Sequence, residues 1–186
     1  MFSEHKVSQM AGYFLSLCEG NSMPHLKLMK LLYLADRKSL DEYGFPISGD
    51  SVVAMPHGPV LSMTLDFING AAKSSSGGWE SWISDRSNHR VSLRSSSHTR
   101  GDFDELSDID IDILDEIWIQ FKDMGRWDIR DYTHDNCPEW EDPKGSSMPI
   151  PFRKIFEALG KSRQEAVALE ARIEDEVAIE GVFARL

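Results

Sequence analysis

Three stretches of the chain hold residue types that could do chemistry. "AMPHGPV" at 54–60 sets His57 between two prolines and a glycine, "THDNCPEW" at 133–140 places His134 three before Cys137, and "DIDID" at 108–112 alternates aspartates. A histidine beside an aspartate can act as a general base. A His and a Cys three apart can share a zinc ion, and alternating aspartates can open a calcium loop. Each reading fails on its own requirements. A calcium loop needs Gly at its sixth place and Glu at its twelfth, where this chain has Ile113 and Ile119. A zinc site needs further ligands in recognisable pairs, and no second pair exists. No nucleophile elbow, phosphate-cradling glycine loop or paired-carboxylate motif accompanies either histidine. No catalytic residue, metal or cofactor is therefore expected. His57 and His134 are expected to support the fold, and the aspartate run to cap a helix.

The bulk composition bounds the partners. Of 186 residues, 31 are acidic and 20 are Lys or Arg, a net charge of −11. That weighs against a sequence-independent grip on nucleic acid and suits a basic partner. Two cysteines, Cys18 and Cys137, make no disulfide framework. No apolar run reaches the roughly 20 residues of a membrane span. The start, "MFSEHKVSQM", has no signal-peptide core. A cytoplasmic protein with free thiols is expected, contacting neither membrane nor DNA. The bases of "KLMKLLYLADRK" should lie on a solvated helix face.

Positioning these residues falls to a mainly α fold. Val7, Met10, Ala11, Phe14, Leu17 and Cys18 follow helical spacing, with Ser3 as N-cap and Gly20 as stop. A second helix opens after Pro24 and runs to Gly44, apolar on more than one face and so central. "SVVAM" reads as a strand that pairs with "RVSLR" in one small β hairpin. Pro59 should sit in the first turn of a third helix ending near Gly70. The Ser- and Gly-rich stretch after it is a loop, docked in part by Trp79, Trp82 and Ile83. Ser107 and Asp110 form a capping box opening a helix whose buried stripe is Ile113, Leu114, Ile117, Trp118, Phe121 and Met124. "WDIRDYTHDNCPEW" should be a short helix and a turn, and "EDPKGSSMPIP" a linker.

The order "LKLMKLLYLAD", "YGFPISGD", "VVAMPHGPV", "DELSDID…LDEIW", "WDIRDYTHDNCPEW" resembles the Panacea domain, the SocA-like, phage-associated antitoxin family. The resemblance spans roughly residues 7–140, and a domain at 1–145 follows from it. One departure is Glu139, which separates Pro138 from Trp140. The resemblance implies a helical antitoxin that neutralises a toxin encoded beside it by direct contact, some members delivering the toxin to a protease. It carries motif status to Lys30, Leu31, Tyr33, Gly44, Pro46, His57, Gly58, Pro59, Thr133, His134, Pro138 and Trp140. Most read as fold-building; Tyr33 and Trp140 suit either a core or a contact surface. A phage regulatory adaptor and a His-dependent hydrolase are the competing classes.

Residues 146–186 lie outside the motifs. They form the linker and a C-terminal acidic helix, bent near Gly160, with the narrow stripe Ala166, Leu169, Ile173 and Val177. An isolated helix of this length is marginal in water and needs a surface to lie on. Three surfaces could serve, its own domain, a second copy or a partner, and a partner anchored by Leu169, Ile173 and Val177 is the favoured expectation.

Overall fold

In a computed structural model, which describes residues 2–95 and 98–183, two helices open the chain: α1 (Glu4–Ser16) and α2 (His25–Tyr43). The Ser3 hydroxyl accepts from the Lys6 amide at 3.1 Å, the expected cap. α1 stops at Ser16 instead of Gly20, which sits at φ +70° in a following 3-10 turn. α2 ends where Gly44 turns left-handed, at φ +79°. Leu28, Leu31, Leu32, Tyr33 and Ala35 are all fully buried, so α2 is the central helix. Its basic residues do not form a solvated face. Lys30 is wholly buried and Lys27 nearly so. The Lys27 ammonium donates to the carbonyls of Lys122 and Met124 and stands 5.7 Å over the Trp118 ring.

Strands β1 (Ser22–Pro24), β2 (Val52–Met55) and β3 (Gly58–Leu61) follow the same chain order. β2 does not pair with "RVSLR". It pairs antiparallel with β3, Met55 opposite Gly58 and Val52 opposite Leu61. A connection of two residues makes that the cheapest pairing to close. Pro59 consequently lies in a strand, and the third helix, α3 (Ser62–Asn69), begins three residues later. β3 is an edge strand, where a proline costs no ladder bond. After the short helix α4 (Trp79–Trp82), strand β4 (Arg90–Ser92) pairs with β1 instead. Trp79 and Ile83 are buried, docking this loop as expected.

α5 (Asp108–Phe121) opens on the expected capping box: Ser107 Oγ accepts from the Asp110 amide, and Asp110 accepts from the Ser107 amide. α6 (Arg126–Asn136) follows. The segment expected as a linker then contributes strand β5 (Met148–Ile150), which pairs with the free edge of β2. Its Ser and Gly content concealed a three-residue strand whose Ile150 is buried.

α7 (Phe152–Ala158) and α8 (Arg163–Phe183) complete the described residues, joined through Gly160 at φ +89°. Ile155, Phe156 and Ala166 are fully buried, and Ile173 is 6% exposed. Ile173 is thus already spent on this chain's own core. Leu169 packs partly buried beside Gly44, whereas Val177 is 41% exposed.

A buried polar chain shapes the "GFPISGD" turn. Asp36 of α2 accepts from the Ser48 amide at 2.9 Å and from its hydroxyl. The Ser48 hydroxyl oxygen accepts from the Asp50 amide at 3.0 Å. Asp50 in turn accepts from the Met63 and Thr64 amides and the Thr64 hydroxyl. The turn therefore ties α2 to the first turn of α3, supplying orphan helix amides with an acceptor.

Candidate functional site

Lys30, Tyr33 and Arg37 stand at successive turns of α2 on one face. Opposite that face lie the β2–β3 turn and the end of α6. The Lys30 ammonium donates to the Pro59 carbonyl at 2.8 Å. Burial holds its pKa down to about 7. Gly58 makes that approach achievable. It sits at φ +93°, and a Cβ there would lie 2.7 Å from Lys30 Nζ and 2.8 Å from Thr133 Oγ1. Both conformation and space demand glycine. Thr133 is fully buried and donates to the Arg130 carbonyl at 2.8 Å, closing the third side.

One turn further along α2, the Tyr33 hydroxyl donates to Glu139, and Arg37 donates to both oxygens of the same carboxylate at 2.7 and 3.3 Å. Glu139 is 4% exposed. A buried carboxylate is tolerable only when its lone pairs are filled, and here a phenol and a guanidinium fork fill them. The residue that interrupts the Pro–Trp pair is therefore a structural hub. Its neighbour Cys137 is 1% exposed, and burial followed by the Glu139 charge pushes its thiol up to about 11.

Trp140 completes the cluster. Its indole N–H donates to the Met55 carbonyl at 3.0 Å, and its ring lies flat on His134, centroids 3.9 Å apart and planes 6° off parallel. Burial, then the Lys30 and Arg130 charges, lowers the His134 pKa. Its Nε2 is buried without a hydrogen-bond partner among the described residues. The ring serves as a neutral plate between α6 and the β2–β3 hairpin.

These contacts bring together Lys30, Tyr33, Gly58, Pro59, Thr133, His134 and Trp140, all anticipated from sequence. His57 is not among them. It is exposed at the tip of the hairpin, edge-on to Trp127 at 5.9 Å, so it is no packed turn histidine. Arg37, Met55 and Glu139 went unanticipated. Glu139 carried one signal: a tyrosine and an arginine one turn apart on a buried helix face need an acceptor, and an acid stood inside the motif.

The thiol and the amine of the cluster are both buried. A thiol near 11 is a poor nucleophile at neutral pH. Lys30 is fully buried, with one of its donors on the Pro59 carbonyl. No group of three or more His, Cys, Asp or Glu among the described residues could hold a metal ion. None of the described helices is long and apolar enough to cross a membrane.

Fold and cluster together define a mainly helical protein whose motif residues lock three segments onto one helix. Residues 28–141, more than half of the chain, match the family described as antitoxin SocA-like, Panacea domain, and the chain belongs to that family. No curated protein and no solved structure matches it.

Proposed function

We propose that this chain is an antitoxin that silences a cognate toxin by direct protein contact. Membership of the SocA-like antitoxin family over residues 28–141 carries the reading. The geometry bears on where such contact can fall. Lys30, Tyr33, Thr133 and Glu139 face inward as braces, so partner contact falls to other surfaces.

The far half of α8 is the surface best suited. Val177, Ile179, Val182 and Phe183 are 41, 56, 62 and 69% exposed, interleaved with Glu174, Asp175, Glu176 and Glu180. An apolar series with acidic neighbours suits an apolar groove rimmed by Lys and Arg. Of the anchors Leu169, Ile173 and Val177, only Val177 remains well exposed.

Co-expression with the product of the adjacent gene tests the proposal. Expected are rescue of growth and co-purification of the two proteins. A neighbour that is harmless alone, or toxic and never rescued, overturns it in favour of an adaptor role. Ending the chain after Glu176 should leave the buried Ile173 in place and weaken the complex. Undiminished affinity would move the interface off α8.

A further inference from the structure

We propose that the recess between the start of α2, the Pro56–His57 turn, the Asn88–His89 turn and the start of α6 binds a phosphate monoester. The recess holds about 210 Å³ and is lined by His25, Leu26, His57, His89, Arg126 and Trp127. No carboxylate lines it, whereas four other recesses on the described surface each carry at least one. In a chain of net charge −11, a recess whose only ionisable lining residues are an arginine and three histidines is the exception. An anion there meets a guanidinium and imidazole rings with no carboxylate in the lining to repel it.

The donors are held in place before any ligand arrives. Asn88 and His89 sit at φ +49° and +60°, in a tight turn closed by mutual Ser87–Arg90 backbone bonds of 3.0 and 2.8 Å. That conformation is uncommon for a side chain as large as histidine. It aims the His89 carbonyl at His25, which donates to it from its amide at 3.0 Å and from ring Nδ1 at 2.9 Å. A carbonyl only accepts, so Nδ1 carries the proton and Nε2 must gain one before it can donate to an anion. Arg126 is braced 5.0 Å over the Trp127 ring. Arg130, also over that ring, is already paired with Asp131, but no ion pair reaches Arg126 among the described residues. Its planar fork is preorganised and unspent.

Size and charge select the ligand. The volume falls below the roughly 300 Å³ of a small-molecule pocket, which suits one phosphoryl group and the start of its ester. A carboxylate offers two oxygens. A phosphoryl group offers three and nearly two negative charges, a better match for a guanidinium and several ring N–H groups. The strongly acidic remainder of the chain disfavours an extended polyanion.

Calorimetric titration of the full chain with adenosine 5′-monophosphate, O-phosphoserine, sulfate and acetate tests the site. Both phosphate monoesters should bind at least about tenfold more tightly than acetate, and Arg126→Gln should weaken them by about tenfold or more while the melting temperature holds. The tighter of the two monoesters identifies the source as a nucleotide or a phosphorylated side chain; either order supports the site. Sulfate, whose charge is constant over this range, should bind more tightly at pH 6 than at pH 8. Burial, then the neighbouring Arg86, His89 and Arg126, lower the His25 pKa, and neither they nor His57 is a carboxylate that would offset this, so proton uptake at His25 accompanies anion binding. No binding at millimolar monoester, equal affinity for acetate, or unchanged affinity in Arg126→Gln would each overturn the proposal.

Discussion

Lys30 reaches the Pro59 carbonyl at 2.8 Å from inside the core, and no carboxylate pairs with it among the described residues. Its charge is therefore a burden, and burial brings its pKa from 10.5 to about 7. The folded chain releases this proton near pH 7, whereas the unfolded chain keeps it to about 10.5. Over that window the unfolded state holds more protons, so stability must rise with pH. Lys30→Met cannot titrate. Urea denaturation at pH 7 and pH 9 should show the native chain gaining on this variant; parallel behaviour would count against a buried amine.

Asp36 slopes the other way. Burial, only partly offset by the Ser48 donors, raises its pKa from 3.8 to about 7. Between those values the folded state holds the proton and the unfolded state has lost it. Asp36 therefore costs stability as pH climbs from about 4 to about 7. Relative to Asp36→Asn, the native chain should lose stability across that interval and then level off. A flat difference between the two denaturation series would contradict the assignment.

Gly58→Ala should be costly and Gly70→Ala cheap, although both glycines have positive φ. At Gly70, φ +68°, a Cβ meets nothing within 4 Å, so only backbone strain of about 1 kcal/mol applies. At Gly58 the same atom would displace Lys30 and Thr133, adding the loss of a buried donor, about 3 kcal/mol in all. Comparable melting temperatures for the two variants would refute the close approach.

Glu139→Ala should destabilise the chain by about 2–4 kcal/mol, because it strands the Tyr33 hydroxyl and leaves Arg37 without its carboxylate. Tyr33→Phe alone should cost nearer 1 kcal/mol. A double-mutant cycle between the two positions should return clear coupling, and additive effects would show that they act separately.

Cys137 should resist thiol reagents in the folded protein, since it is 1% exposed and its thiol is pushed up to about 11. Denaturant should release it. Rapid labelling of Cys137 under native conditions would mean that the Tyr33–Glu139 brace opens readily.

Local rules made the helices readable. Ser107 and Asp110 announced the start of α5 because a capping box is complete within four residues. Gly44 and Gly70 marked helix ends for the same kind of reason. The sheets were harder, since pairing joins residues far apart in sequence. "RVS" finds Ser22–Pro24 rather than "SVVAM", and "MPI" was hidden in a stretch that looked like a linker. Pro59 misled because a proline suits either a helix start or an edge strand, and only the neighbouring strands decide. The motif residues were visible as a series, but their convergence on one face of α2 was not. Lys30 and Tyr33 were visible one turn apart on α2; nothing in their spacing said that Arg37 would join them or that Glu139 would be the acceptor.

The pairing of β5 with β2 bears on the chain as it leaves the ribosome. Residues 52–61 can close their hairpin early, because both strands are made within a few residues of each other. The outer edge of β2 must wait for residues 148–150, almost a hundred positions later. Until then an apolar strand offers its amides and carbonyls to any extended segment nearby, the circumstance in which nascent chains pair wrongly. Fragments ending shortly before Met148 should accordingly aggregate, and a short peptide spanning residues 146–152, supplied in trans, should keep them soluble.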